Sequence, residues 1–423
     1  MAHGLATSER FTATFASLLD GSQFRRYFLA QFVSNIGTRM QMAGTAWLVL
    51  VMTDSPVQMG TVLAAEVLPI IALGPLAGKY VDRYEPRFIT ICTQLALALV
   101  VSGIALAAWS ESYVGIVALS LAFGIVAAID GIARNAVAVA MIEPGSFRNA
   151  MALNSVSANG SALVGPAVAG LAIGTLGAPW CFMINAGTFV GVAAALATIH
   201  AFPNPGQRAS RGSAASPRHA LRYLKSAGTT RDALIMTALI ATFTYEFPIT
   251  LPLLTMDELR GDALGYGILL SASGLGAILG GLQLAGNSKA RPTSTGTAAL
   301  SLGACVLALA VSPSMLIALV IVVFVGASSS RFIALAMTQL FADLPPDLRG
   351  RVSSFWQMAT VGTTLLGGPA MGLLASALDA RWALAVGAAA AIAAGTLGLI
   401  RSTGARGTHS DPQPAARAPH IAT

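Results

Sequence analysis

The sequence predicts an all-α membrane protein of twelve transmembrane helices, arranged as two six-helix pseudo-repeats. Three observations carry this reading. Of 423 residues, 55% are hydrophobic and only 10% are charged, whereas a soluble domain needs about 25% charged residues to face water. Apolar runs recur along the whole chain, each close to the roughly 20 residues that cross a hydrocarbon core about 30 Å thick. One long polar connection, residues 203–232, divides those runs into two sets of six.

Taken in order, the runs cover 27–51, 57–80, 87–109, 113–140, 150–173, 180–202, 233–255, 263–286, 293–311, 314–340, 352–377 and 382–400. Short breaks rich in turn formers separate most of them, such as Asp54-Ser55-Pro56 and Ser312-Pro313-Ser314. Residues 1–26 read as a cytoplasmic N-terminal segment without a cleavable signal pattern. Within it, Phe11, Phe15, Leu18 and Leu19 fall at helical spacing, as in a short interfacial helix. Residues 27–202 form the N-terminal half, 203–232 a cytoplasmic linker and 233–400 the C-terminal half. Residues 401–423 form a cytoplasmic tail that is expected to be disordered.

Orientation follows from the basic residues. With the N-terminus inside, 20 of the 25 Lys and Arg residues fall in inside segments, and only Arg260 and Arg381 fall in outside loops. Such a bias places both termini in the cytoplasm. The net charge of +7 does not point to nucleic acid, because the cations sit in short breaks between apolar runs rather than on a solvated face. The three cysteines, Cys92, Cys181 and Cys305, stand far apart in apolar runs and read as small buried hydrophobes. The five histidines form no metal spacing, and there is no phosphate-binding glycine loop. No enzyme, metal or cofactor is expected.

The halves echo each other. Gly165-Pro166-Ala167-Val168-Ala169-Gly170 returns as Gly368-Pro369-Ala370-Met371-Gly372, and Pro144 and Arg148 return as Pro345 and Arg349. Parallel six-helix repeats are a transporter architecture whose substrate site lies between the halves.

Ionisable groups within lipid are costly, and each is a functional candidate. Six stand in the runs: Arg39, Glu66, Asp130, Arg134, Glu246 and Arg331. At a helical rise of about 1.5 Å per residue, Arg39 lies roughly 18 Å deep, Glu66 roughly 14 Å from the outside and Glu246 roughly 20 Å deep. All three are expected near the midplane in a shared polar cavity with Tyr245, where a carboxylate takes a proton from one side and releases it to the other. A static pairing of Arg39 with Glu66 is the structural alternative. Asp130 and Arg134 share one helix face at i, i+4. They and Arg331 fall at the level of the cytoplasmic mouth, as in a gate.

With these residues in place, the chain from about Phe24 to Gly398 resembles the major facilitator superfamily. Gly78-Lys79-Tyr80-Val81-Asp82-Arg83-Tyr84-Glu85-Pro86-Arg87 is similar to the superfamily's signature between helices 2 and 3, with Tyr80, Glu85 and Pro86 departing from it. That resemblance implies a cytoplasmic latch in which Asp82, Arg83 and Arg87 meet Asp130 when the carrier is closed to the inside. Gly165, Pro166 and Gly170 resemble a helix-5 motif associated with exporters, with Leu171 replacing its final glycine. Ser34-Asn35-Ile36-Gly37, Thr53-Asp54-Ser55-Pro56 and Leu348-Arg349-Gly350-Arg351-Val352 further resemble the drug:proton antiporter branch, which includes macrolide efflux and siderophore export proteins.

The resemblance implies a monomeric exporter of a small hydrophobic or amphipathic compound, driven by protons, in a bacterial cytoplasmic membrane. Siderophore export, import and uniport remain alternatives within transport. A non-transporting membrane sensor is the alternative of another class; it would need a soluble output domain, and the longest polar connection is only residues 203–232.

Overall fold

The computed structural model describes residues 22–141, 147–199, 219, 222–224, 227–285, 292–342, 344–345 and 348–407. Regular structure among the described residues is helical throughout. The first half contains α1 (Ser22–Thr53), α2 (Pro56–Arg83), α3 (Pro86–Trp109), α4 (Tyr113–Ala140), α5 (Phe147–Leu176) and α6 (Pro179–Ala197). The second contains α7 (Gly228–Phe243), α8 (Phe247–Leu253), α9 (Ala263–Ala285), α10 (Pro292–Ala310) and α11 (Met315–Phe341), then α12 (Arg349–Gln357), α13 (Thr364–Ala377) and α14 (Ala380–Gly407). The seventh crossing is α7, α8 and the π-helical turn Leu254–Glu258; the eleventh is α12, the π-helical turn Met358–Gly362 and α13. The described residues thus make twelve crossings in two sets of six.

By length and composition, ten of these segments are apolar enough to cross a bilayer. The two others are α1, which carries Gln31, Asn35, Arg39 and Gln41 along its length, and α10, whose apolar part is the shorter Thr295–Ala310. Hydropathy marks the part of a helix that lies in lipid, not where the helix ends. Thus α1 begins at Ser22 rather than 27, α7 at Gly228 rather than 233, and α14 continues to Gly407 through positions expected to be tail. The interfacial segment at 11–19, most of the linker and positions 408–423 lie outside the described residues.

Local sequence sets the turns on the face opposite the termini, here the far face. Ser55 and Ser112 cap their helices, their Oγ atoms accepting from Gln58 N at 3.3 Å and Gly115 N at 3.2 Å. Prolines open α2 and α6 on this face, and α3 on the terminal face, where a missing N–H costs nothing. Arg381 ties the second half together on this face: it pairs with Glu258 at 2.5 Å and donates to the carbonyls of Ala310 at 2.8 Å and Ser312 at 3.0 Å.

Large apolar side chains such as Leu99, Val114, Leu316 and Leu366 stand exposed on the outside of the bundle, the surface a helical bundle offers to acyl chains. Cys181 is buried as expected and Cys305 half-buried, but Cys92 is exposed on α3. A cysteine in an apolar run faces lipid as readily as core.

The halves meet through close backbone approach. A Cβ placed on Gly267 of α9 would lie 2.5 Å from Pro166 O and 2.8 Å from the Gly170 Cα on α5. One on Gly60 of α2 would lie 2.6 Å from Gly368 O of α13, and one on Gly372 would lie 2.5 Å from Pro56 O. Small residues permit such packing between membrane helices. The repeated Gly-Pro segments therefore perform matching tasks: α5 packs on α9, and α13 packs on α2. Most of these positions lie within about two turns of the far loops. Near the terminal face, a Cβ on Gly74, Gly78 or Gly131 would meet nothing within 4 Å. The seam runs from the far loops to the middle of the bundle, where a Cβ on Gly274 of α9 would lie 2.6 Å from Ala162 O of α5.

Candidate functional site

A cavity of about 210 Å³ lies between α1, α5, α8 and α9, and so between the halves. Arg39, Met42, Pro166, Pro248, Tyr266 and Ser273 are among its walls. Gly165 sets α5 against α1 at this level, since a Cβ there would lie 2.5 Å from the Arg39 Cβ and 2.9 Å from Ile36 O. Arg39 is exposed to this space. It makes no ion pair or hydrogen bond with a described residue. Tyr266 is 1% exposed, stacks on Trp47 with ring centroids 5.7 Å apart, and its hydroxyl has no hydrogen-bond partner.

Glu246 sits where the seventh crossing breaks. Residues 244–246 separate α7 from α8, and Pro248, without an N–H, follows at the start of α8. At the break, Glu246 O accepts from Ile249 N at 3.0 Å and Thr250 N at 3.1 Å, and the Thr244 side-chain hydroxyl donates to Gly387 O of α14 at 2.7 Å. The Glu246 side chain is 2% exposed and packs against the eleventh crossing. A Cβ on Gly367 would lie 2.8 Å from its Oε1, and Thr364 stands beside the carboxyl. Oε1 has no hydrogen-bond partner, and no described cation pairs with the group. Tyr245 packs on Phe247 at 6.4 Å and lies beside Ser329.

Arg39, Glu66 and Glu246 are therefore not gathered around this cavity. Arg39 is on its wall; Glu66 and Glu246 are not. Glu66 is half-buried on α2, where its carbonyl lies against Gly124 of α4, and it forms no ion pair with a described residue. The Arg39–Glu66 pair is absent from this state. Counting residues along a helix fixes the level of a side chain, but the direction it faces depends on how neighbouring helices rotate.

The terminal-face cluster is built on Asp130, which is 3% exposed. It accepts from Thr93 Oγ1 at 2.8 Å and Gln94 Nε2 at 2.9 Å on α3, and pairs with Arg134 Nε at 3.6 Å. Arg87 donates to Leu196 O at 3.1 Å and Ala197 O at 3.2 Å, at the C-terminal end of α6. Such a contact complements the carbonyls left open at a helix end. The expected meeting of Arg83 or Arg87 with Asp130 is not made in this state. Gly78 lies in α2 and Arg83 ends it; Asp82 lies in the same last turn, but its side chain is outside what is described. Arg331 is exposed on α11 and pairs with no described residue. No group of three or more His, Cys, Asp or Glu gathers among the described residues.

Tyr266, Thr364, Thr93 and Gln94 were not singled out in the sequence. The one available signal was at Tyr266, an aromatic whose polar tip needs a partner once buried.

The family model for transmembrane secretion effectors matches residues 12–422. A staphyloferrin A transporter of Staphylococcus aureus (strain NCTC 8325 / PS 47) is 24% identical over 262 residues, 61% of this chain and 66% of that protein. An MFS-type transporter of Bacillus subtilis (strain 168), YfiS, is 27% identical over 136 residues, 32% of each chain. The chain thus spans less than two thirds of the length of these curated relatives. Solved structures show the same fold. A bacterial homolog of the human lysosomal transporter Spinster, inward-facing and unoccupied, has a TM-score of 0.70 at 16% identity, with 90% of this chain and 95% of that chain covered. A bacterial homologue of the iron transporter ferroportin gives 0.70 at 14% identity, covering 90% and 99%. The nucleoside transporter NupG gives 0.69 at 11% identity, covering 93% and 100%.

Proposed function

Because the chain belongs to the transmembrane secretion effector family, and is thus a multi-pass membrane transporter of the major facilitator type, we propose that it exports a small hydrophobic or amphipathic compound in exchange for protons. The distribution of basic residues puts both termini in the cytoplasm. On that orientation the far face is outside, and the seam of α5 with α9 and α2 with α13 closes the carrier to the exterior. A single chain supplies both halves and the cavity between them, which supports a monomer as the transporting unit.

The observation that carries the proton role is Glu246. It is buried at the broken seventh crossing with Oε1 unpartnered and no counter-charge among the described residues, a setting in which an ionised carboxylate is costly. This outward-closed state therefore suits a protonated Glu246. Substrate enters from the cytoplasm, the proton leaves inward, and the seam opens to release substrate outside. The Asp130–Arg134 cluster, with Asp82, Arg83 and Arg87, acts as the cytoplasmic gate in the opposite state. Inside-out vesicles loaded with a pH dye test the exchange: added amphipathic substrates should drive proton movement that depends on this protein. Transport with no proton movement would leave a uniporter.

Siderophore export is the second reading, favoured by the relative named as a staphyloferrin A transporter. Deleting the gene and measuring siderophore in the medium separates it from drug efflux, which would leave secretion unchanged.

A further inference from the structure

Among the described residues, the cavity wall carries one charge and no counter-charge. Arg39 lines it without a described ion-pair or hydrogen-bond partner, roughly 18 Å into the bundle by helical rise. A cation at that depth is costly unless something compensates it. On the same wall, Tyr266 is 1% exposed and its hydroxyl has no partner. The stack on Trp47 fixes that ring in place. Met42, Pro166, Pro248 and Leu270 make much of the remaining wall apolar. Arg39 thus offers its donors to an apolar chamber without an acceptor, and the Tyr266 hydroxyl, enclosed behind the same wall, also lacks one.

We propose that Arg39 and the Tyr266 hydroxyl bind the carboxylate of an organic-anion substrate, whose apolar body the cavity wall receives. A guanidinium presents a planar fork of donors that matches a carboxylate in two parallel hydrogen bonds. A phenol adds a third donor. An amphipathic amine would instead bring a second positive charge beside Arg39 and leave both donors unmet. The inference rests on the carrier reading above and narrows it to anionic amphipaths.

The test uses the full chain in neutral maltoside micelles and a matched pair of probes, 1-pyrenebutyrate and 1-pyrenebutylamine, read by tryptophan-to-pyrene energy transfer. The carboxylate should bind the native protein tighter than the amine by about tenfold or more, the range for a hydrogen-bonded charge. Arg39→Gln should remove that advantage, and Arg39→Lys should restore part of it. Tyr266→Phe, which deletes only the hydroxyl, should weaken the carboxylate several-fold and leave the amine unchanged. It also keeps the test informative should Arg39→Gln fail to fold. Equal binding of both probes, no binding of pyrenebutyrate, or pyrenebutyrate binding unchanged in Arg39→Gln would overturn the proposal. In the last case Arg39 serves as a partner for Glu66 or Glu246 in the opposite state. Failure of the carrier reading looks different: the probes bind as expected, yet no substrate moves protons in vesicles.

Discussion

Gly170 and Gly267 touch across the seam between the two halves, so closely that a Cβ on Gly267 would lie 2.8 Å from the Gly170 Cα. The atoms met are backbone, which cannot rotate away. Closure of the far face therefore depends on the absence of a side chain at this crossing.

Gly267→Leu should hold the far face apart. Overpacking of a tight contact costs about 1–3 kcal/mol, which shifts a two-state equilibrium by roughly 5- to 150-fold. Transport should fall by at least the lower figure while membrane insertion stays normal. Labelling of a cysteine at Ser273 by an impermeant reagent added outside should rise. Full transport in this variant would show that the seam is not part of the cycle.

Asp130 and Arg134 should differ sharply in cost. Asp130→Ala strips the acceptor from Thr93 and Gln94 in a buried site, at about 1–3 kcal/mol. Arg134 is 30% exposed and only 3.6 Å from its partner, so Arg134→Gln should cost about 1 kcal/mol or less. Thermal unfolding of the purified protein in detergent checks the order. A larger loss from Arg134→Gln would reassign the cluster as an ion pair rather than a hydrogen-bonded carboxylate.

Much of this arrangement is legible in the sequence. Runs of spanning length give the crossings because hydrocarbon thickness sets them, and the returning Gly-Pro segments mark α5 and α13 as equivalent. Pro248 signals the break that presents Glu246. The sequence does not reveal that Glu246 faces Gly367 on the eleventh crossing while Arg39 faces a chamber beside Tyr266. That depends on the rotation of each helix about its own axis, settled by glycine contacts between segments some 100 to 300 residues apart. Nor does hydropathy report helix ends, because α7 and α14 continue as helices beyond the apolar run.

Glu246→Gln should abolish substrate-driven proton movement in vesicles, because the amide cannot exchange the proton. Insertion and folding should be kept, since a neutral group already suits the site. Pyrenebutyrate binding at Arg39 should survive as well. Unaltered proton exchange would transfer the role to Glu66.

The most direct test of proton-coupled alternation is the distance between spin labels at Leu176 and Leu264, exposed positions at the far ends of α5 and α9, with Cys92, Cys181 and Cys305 replaced by alanine. In lipid nanodiscs at acid pH the distribution should be short and single, because a protonated Glu246 suits the closed seam. At alkaline pH a longer population should appear, and Glu246→Gln should stay short at both. A wild-type distribution that does not change with pH, or a variant that changes as the wild type does, would contradict the account.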